Sequence, residues 1–205
     1  MKLKVCGMRE PENIHALVEL NPDYMGFIFW APSRRYVDQP TPKLPASIKK
    51  VGVFVDASLD YLQTTIQEHS LDAVQLHGSE SPAYCALIKE YGVEVIKAFS
   101  VRDQFDFSQL KAYEASCDFF LFDTKGSLPG GNGTHFDWTL LKDYPSQKPF
   151  FLSGGIGPED NELLQRIINT PLPLHAIDVN SKFERAPGNK NIELLTPFKK
   201  QLDEL

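Results

Sequence analysis

Residues 150–160 read Phe150-Phe151-Leu152-Ser153-Gly154-Gly155-Ile156-Gly157-Pro158-Glu159-Asp160. The apolar run is typical of a buried strand, and Pro158 opens a segment whose apolar residues recur at helical spacing. This order predicts a strand, a glycine turn and a helix. Glycines let the backbone approach a ligand closely, so Gly154 and Gly155 are candidates for binding a phosphate group. A tight turn without a ligand is an equally good interpretation of these residues alone.

A second strand end lies one unit later in the chain. Residues 174–177 are predicted to form a strand, and Asp178-Val179-Asn180-Ser181 follow it. Two successive strands therefore end in small polar groups. In an eight-stranded βα barrel, the loops after the seventh and eighth strands frequently form a phosphate site at the C-terminal face. Asp178, Asn180 and Ser181 are therefore further candidates for a phosphate site.

Apolar or β-branched runs recur along the whole chain, and most are followed by a polar turn and a helical pattern. They begin near Leu3, Tyr24, Val51, Ala73, Val93, Asp118, Phe150 and Leu174. This spacing predicts an α/β fold, a single eight-stranded parallel (βα)8 TIM barrel that occupies residues 1–205 as one domain. A six-stranded doubly wound sheet is the alternative fold, but it would leave two strands unplaced. A leucine-rich solenoid has a similar period, but its repeating Leu/Asn signature is absent.

Helical patterns are clearest after strands one, three and four and at the end of the chain. Their predicted bounds are 12–20, 58–68, 81–90 and 192–202. Prolines crowd the segment between Val37 and Lys49, so a helix there is expected to be short or irregular. The glycine-rich loop 126–133 is interpreted either as a lid over the barrel mouth or as a surface loop.

Composition limits the class of protein and its partners. A chain of 205 residues that is 42% hydrophobic can form a sizeable core, which excludes a disordered protein. With a formal charge of −6 and no basic stripe, we expect neither nucleic acid nor an anionic membrane surface as a partner. We also expect no spanning helix, because no apolar run reaches ~18 residues, and no export signal, because the N-terminus lacks the apolar region of a signal peptide.

Three cysteines, Cys6, Cys85 and Cys117, lack the spacing of zinc ligands. Their odd number favours a reducing compartment, so we expect a cytoplasmic protein without a structural metal. A buried cysteine is usually inert, and we expect this of Cys85 and Cys117. Cys6 differs because it ends a barrel strand on the same face as Lys4, whose ammonium group favours a thiolate. Cys6 is therefore a candidate base or nucleophile.

Polar residues also end strands four and six. Gln75 and His77 are expected to share the inward face of strand four. Asp123 follows four apolar residues, where a charged carboxylate is costly, so we expect it to retain a proton and act as an acid. A cap of the following loop through Thr124 is the alternative. Histidine suits a base, but packing is its commoner role at a strand end, so His77 is not assigned to the catalytic pair.

The loop after strand two holds Ser33-Arg34-Arg35-Tyr36. Two adjacent guanidinium groups suit the recognition of a substrate carboxylate. A solvated charge pair is the alternative interpretation.

Eight short motifs are spread along the chain: Lys4-Val5-Cys6-Gly7-Met8-Arg9, Gly26-Phe27-Ile28-Phe29, Ser33-Arg34-Arg35-Tyr36-Val37, Val51-Gly52-Val53-Phe54-Val55, Gln75-Leu76-His77-Gly78, Phe122-Asp123-Thr124, Leu152-Ser153-Gly154-Gly155-Ile156 and Asp178-Val179-Asn180-Ser181. In this order they resemble the motifs of phosphoribosylanthranilate isomerase. The resemblance covers essentially the whole chain, and eight motifs in register make it highly specific.

The resemblance implies a βα barrel that works in tryptophan biosynthesis without a cofactor or metal. Its substrate would be N-(5-phosphoribosyl)anthranilate, and an Amadori rearrangement would yield 1-(2-carboxyphenylamino)-1-deoxyribulose 5-phosphate. The resemblance implies that Cys6 is the general base and Asp123 the general acid. It also implies that Arg35, rather than Arg34, binds the anthranilate carboxylate. The substrate-binding residues expected besides Arg35 are Lys4, His77, Gly154, Gly155, Asp178, Asn180 and Ser181.

Three positions depart from the usual pattern of this family. Asn132 stands in the glycine-rich loop where a small hydroxyl residue is common, Lys182 where a glycine is usual, and Asn191 where an aspartate is common. None is the expected acid, base or carboxylate ligand. We therefore expect them to affect only lid closure and the packing of the phosphate loop.

Two other functions stay open on the sequence alone. One is another phosphosugar barrel, such as a carboxy-lyase or an epimerase, although epimerases of this fold usually bind a metal through His and Asp. The other is a non-catalytic barrel that binds sugar phosphates, which the acid and base positions disfavour. In each case the partner is a small phosphorylated molecule.

For the oligomeric state, a monomer is slightly favoured over a homodimer.

Overall fold

The computed structural model describes residues 1–124 and 136–205 of the chain. Eight parallel strands form a closed barrel in which each strand pairs with the next and the eighth pairs with the first. The strands are β1 (Lys2–Val5), β2 (Tyr24–Ile28), β3 (Lys49–Phe54), β4 (Ala73–Leu76), β5 (Glu94–Val101), β6 (Phe119–Thr124), β7 (Phe150–Leu152) and β8 (Leu174–Val179). Each begins within about two residues of its predicted start. The predicted TIM barrel is confirmed.

Five α-helices are present in the described part of the chain. They are α1 (Pro11–Val18), α2 (Leu59–His69), α3 (Pro82–Lys89), α4 (Asn161–Ile168) and α5 (Ile192–Glu204). Four 3-10 helices cover Phe107–Tyr113, Trp138–Asp143, Pro158–Asp160 and Ser181–Phe183. Two short strands, β9 (Glu184–Ala186) and β10 (Asn189–Lys190), form an antiparallel pair after β8. All four predicted helices are confirmed, and no helix forms between β2 and β3, where prolines remove backbone donors.

Helix caps explain several of these boundaries. Ser58 and Ser81 precede α2 and α3, and each side chain accepts a hydrogen bond from the backbone three residues on. Asn191 precedes α5 and its side chain accepts from Glu193 N. The amide oxygen of Asn191 thus serves as the helix cap, so this departure from the family pattern lies at a structural position. The glycine-rich loop 126–133, with Asn132, lies outside the described residues.

Two apolar layers hold the barrel together. The interior layer consists of Tyr24, Val51, Ala73, Ile96, Ala98, Leu121, Phe151 and Ala176. A larger cluster fills the space between the strands and the surrounding helices. Lys4 on β1 and Asp178 on β8 are register partners. Because successive strand residues point to opposite faces, their side chains lie on the same face and form a hydrogen bond.

None of the helices in residues 1–124 and 136–205 is both long enough and apolar enough to cross a membrane.

Candidate active site

A cavity opens where the barrel strands end. Its polar lining includes nine of the ten residues predicted to form the site, namely Cys6, Arg35, His77, Asp123, Gly154, Gly155, Asp178, Asn180 and Ser181. They come together because parallel strands direct all their carboxyl ends to one face of the barrel. Gln75, which was expected to share a face with His77, also lines the cavity.

Cys6 lies one residue beyond β1, at the edge of the cavity. Its backbone N–H donates to Val179 O at 2.9 Å, which extends the pairing of β1 with β8 by one residue. A methyl group on Gly26 of the neighbouring strand would lie only 2.8 Å from the Cys6 sulfur. A glycine at position 26 therefore leaves the space that the thiol occupies.

Lys4 is the predicted site residue that the described cavity lining does not include. Its side chain is completely buried, and Nζ donates to Asp178 Oδ1 at 2.8 Å. The other oxygen of Asp178 accepts from Ser153 Oγ at 3.2 Å. In this structure the ammonium group of Lys4 is bound by its carboxylate partner, so direct contact between Lys4 and a ligand stays a prediction. Lys4 and Asp178 join the strand that leads to Cys6 with the turn after β7.

Burial raises the pKa of the Cys6 thiol above its ordinary value. The positive charges of Lys4 and Lys190 act in the opposite direction, but they do not outweigh burial, and the carboxylate of Asp178 adds to the rise. The expectation that Lys4 favours the thiolate form of Cys6 agrees with the direction of its effect on the thiol pKa, but burial outweighs that effect. Lys4 shares its charge with Asp178, and the isolated cysteine is protonated at neutral pH.

Asp123 and His77 face each other across the strand ends of β4 and β6. Nε2 of His77 is 3.1 Å from Oδ2 of Asp123, and their side chains are only 8% and 4% exposed. The two side chains are thus in contact, although the alignment required for a hydrogen bond is absent. Nδ1 of His77 is 2.9 Å from Nε2 of Gln75. If the Gln75 amide donates there, the neutral imidazole carries its proton on Nε2, on the side of Asp123.

The two arginines after β2 have different surroundings. Arg34 is exposed, whereas Arg35 lines the cavity. Nε and Nη2 of Arg35 donate to the two carboxylate oxygens of Glu184 at 2.8 and 2.6 Å. This pair occupies one edge of the guanidinium group and leaves the edge formed by Nη1 and Nη2 for a further acceptor. The selection of Arg35 over Arg34 thus agrees with their positions.

Two glycines of the turn after β7 also line the cavity. Gly154 and Gly155 adopt left-handed φ values of 97° and 70°. A methyl group on Gly154 would lie 2.3 Å from Thr124 Oγ1, so only glycine allows this turn to pack on the end of β6. Within the described residues, neither glycine N–H donates to a protein acceptor. The turn therefore presents free backbone donors of the kind that bind phosphate.

Three charged residues near the cavity were not identified as site residues from the sequence. Lys182 lines the cavity, and its Nζ lies 3.1 Å from Glu159 Oε1. Glu184 and Lys190 are buried beside Arg35. The only sequence signal for them was a run of charged residues directly after β8.

No group of three or more His, Cys, Asp or Glu side chains in residues 1–124 and 136–205 is arranged to hold a metal ion.

Comparison with known proteins gives consistent matches. A family model described as N-(5'phosphoribosyl)anthranilate (PRA) isomerase matches residues 3–201. An N-(5'-phosphoribosyl)anthranilate isomerase of Parabacteroides distasonis is 43% identical over 98% of this chain and 93% of its own length. The crystal structure of phosphoribosyl anthranilate isomerase from Thermotoga maritima has a TM-score of 0.86 at 31% identity, with both chains fully covered. Another crystal structure of such an isomerase, in complex with reduced 1-(o-carboxyphenylamino)-1-deoxyribulose 5-phosphate, has a TM-score of 0.82 at 30% identity and full coverage of both chains.

Proposed function

The chain belongs to the N-(5'-phosphoribosyl)anthranilate isomerase family, and on that basis we propose how its own residues carry out the family's reaction. It is an isomerase of tryptophan biosynthesis that converts N-(5-phosphoribosyl)anthranilate to 1-(2-carboxyphenylamino)-1-deoxyribulose 5-phosphate. The observation that supports our assignment is that Cys6, Asp123, Arg35 and the glycine turn line one cavity.

Asp123 acts first, as the general acid. Its proton passes to the ring oxygen of the ribose, the bond between that oxygen and C1′ breaks, and the anilino nitrogen supplies the electrons that form an iminium ion. Asp123 is suited to this step because it is 3% exposed and lies at the barrel mouth. His77 faces its other side and keeps the carboxyl group directed toward the cavity.

Cys6 acts second, as the general base. The thiolate removes the proton from C2′, and the electrons of that bond neutralise the iminium ion to give an enolamine. C1′ then gains a proton while the C2′ hydroxyl loses one, so the aminoketone forms without a net change in protons or electrons. Burial raises the pKa of the thiol, and the iminium cation beside Cys6 lowers it again, so the thiol releases its proton to solvent before it takes the proton from C2′.

Binding groups at the two ends of the cavity orient the substrate. The free edge of Arg35 receives the anthranilate carboxylate, and the N–H groups of Gly154 and Gly155 receive the phosphate, together with Asn180 and Ser181. Lys182 adds a positive charge at the phosphate end. We assign Asp178 a positioning role rather than phosphate contact, because its carboxylate would repel the anion and is already bound by Lys4 and Ser153.

The test is a coupled fluorescence assay. Phosphoribosylanthranilate is generated in situ from anthranilate and phosphoribosyl pyrophosphate by a transferase, and its fluorescence is followed after this protein is added with a chelator. We expect rapid loss of fluorescence with the natural chain. In Cys6→Ser and Asp123→Asn, kcat should fall by about 10²- to 10⁴-fold while KM stays within about tenfold.

Cys117→Ala is the matched control, because Cys117 is buried away from the cavity lining. It should retain the kcat of the natural chain. Near-normal turnover in Cys6→Ser or Asp123→Asn would contradict the role of that residue. Turnover that disappears when chelator is added would favour a metal-assisted phosphosugar reaction, and binding of product without turnover would favour a non-catalytic barrel.

The cytoplasmic location and the choice between monomer and homodimer stay predictions. The location is supported by the three free cysteines, all of them buried. Light scattering of the purified chain would distinguish the two assembly states.

A further inference from the structure

Glu184 is a buried carboxylate with several partners at the edge of the cavity. Its side chain is 5% exposed. It accepts two hydrogen bonds from Arg35, one from Lys190 Nζ at 2.5 Å and one from the backbone N–H of Gly188 at 3.1 Å. Burial raises the pKa of Glu184, but the bonds from Arg35 and the charge of Lys190 lower it by more than burial raises it. The net shift is downward, so Glu184 is ionised at neutral pH.

The bond from Arg35 determines which edge of its guanidinium group faces the cavity. A bidentate arginine–carboxylate pair fixes both the position and the plane of the guanidinium group. Because Glu184 occupies the Nε/Nη2 edge, the Nη1/Nη2 edge is the one left for a ligand. Without Glu184, the long arginine side chain would have many rotamers and no fixed edge.

Lys190 links the same carboxylate to Asn180. Its side chain is completely buried, and Nζ donates to Asn180 Oδ1 at 2.8 Å as well as to Glu184. The charge of Lys190 lowers the pKa of Cys6, against the effect of burial. Gly7, the residue after Cys6, packs closely against this group, since a methyl group there would lie 2.6 Å from Arg35 Cδ and 2.7 Å from Asn180 Oδ1.

We propose that Glu184 is a positioning residue that serves both halves of the site: it holds the free edge of Arg35 toward the substrate carboxylate and holds Lys190 beside Asn180 and the Cys6 turn. This inference rests on the proposed function, in which Arg35 binds that carboxylate and Cys6 is the base. The negative charge of Glu184 then offsets one of the two positive charges of Arg35 and Lys190, so the group keeps a net positive charge of one for the incoming anion.

Two substitutions separate the charge of Glu184 from its geometry. Glu184→Gln keeps the size but removes the charge and places an NH₂ group against donors. We expect its KM to rise by about tenfold or more, with a much smaller change in kcat, because Arg35 loses its fixed edge. Glu184→Asp keeps the charge but is one methylene shorter, so its KM should also rise.

The second readout is the pH dependence of Cys6 alkylation by iodoacetamide, measured without substrate by peptide mass spectrometry. Glu184→Gln removes the negative charge that partly offsets Arg35 and Lys190. The stronger positive charge near Cys6 should move the alkylation midpoint to lower pH. In Glu184→Asp the midpoint should stay within a few tenths of a pH unit of the natural chain. A residue that merely stabilises the fold would not separate the two variants in this way.

Lys190→Met covers the case in which Glu184→Gln does not fold. It removes the charge of Lys190 near Cys6 but leaves the bonds between Glu184 and Arg35 in place. The alkylation midpoint should therefore rise, while KM changes less than in Glu184→Asp. A natural KM in Glu184→Asp, or an unchanged midpoint in both Glu184→Gln and Lys190→Met, would overturn the proposal. An inactive natural chain would instead contradict the proposed function.

Discussion

His77 Nε2 lies 3.1 Å from Asp123 Oδ2, so the side chain that was kept out of the catalytic pair borders the expected acid. We predict that His77→Ala lowers kcat by about tenfold or more, because the acid loses the neighbour that orients it. His77→Gln should retain more activity, since its amide nitrogen reaches the position of Nε2. The kcat and KM values of both variants test this, and equal losses in the two would contradict an orienting role.

Cys6 should be harder to ionise than an ordinary cysteine. Because burial raises its pKa, the fraction of thiolate at pH 8 is lower than in a free thiol, and the midpoint of the alkylation rate against pH should lie above that of a free cysteine. Lys4→Met should move this midpoint higher still, since a charge that lowers the pKa is lost. Lys199→Met, on α5, is the matched control and should leave it unchanged. A midpoint below that of a free cysteine in the natural chain would contradict the prediction.

Gly154 and Gly92 both have a positive φ, but only Gly154 lines the cavity. Gly154→Ala would add a methyl group 2.3 Å from Thr124 Oγ1 and strain a φ of 97°. We expect the inhibition constant for inorganic phosphate to rise by about tenfold or more, because the turn that presents the N–H groups must shift. Gly92→Ala is the control, because Gly92 has a similar φ of 76° and no atom lies within 4 Å of the added methyl group. Gly92→Ala should therefore lose some stability and keep its phosphate affinity.

Lys182 should strengthen phosphate binding through charge. It lines the cavity and pairs with the exposed Glu159. We predict that Lys182→Gln raises the inhibition constant for phosphate by about three- to tenfold, and that the difference shrinks as salt is added, because the contact is solvent-screened. Lys200→Gln on α5 serves as a control of equal charge change. Equal phosphate inhibition in the natural chain and Lys182→Gln would exclude a contribution from this charge.

His175 should make stability depend on pH between about 6.5 and 4. Burial and then the charges of Lys2 and Lys49 lower its pKa from 6.5 to about 4, and its Nε2 is 2.9 Å from the Tyr24 hydroxyl. The unfolded chain therefore binds a proton in this window before the folded chain does. The free energy of unfolding should fall by about 1–3 kcal/mol from His175 as the pH drops through the window.

Urea unfolding at pH 7, 5.5 and 4.5 measures this effect. His175→Gln removes the titrating group and should flatten the pH dependence, because glutamine stays neutral throughout. His15→Gln changes an exposed histidine and should leave the dependence as it is in the natural chain. The same dependence in the natural chain and in His175→Gln would show that other groups cause it.

The fold could be predicted because its signals are local. Apolar runs mark strands, and prolines and capping serines mark where helices fail or begin. Once eight strands were counted, the parallel barrel placed all their ends together, so residues as distant in sequence as Cys6 and Asp123 could be assigned to one cavity. What the local pattern did not predict is the partner of Lys4, the carboxylate of Asp178 on β8.

The sequence by itself determined the barrel, the face that carries the site and most of the side chains that line it, because strand periodicity and strand order follow from short stretches of chain. Only the tertiary structure decided how those side chains are paired and charged. Arg35 and Glu184 lie 149 positions apart, and the raised pKa of Cys6 depends on burial by elements from across the chain. Ion pairing and desolvation depend on distances in space, which no local pattern encodes.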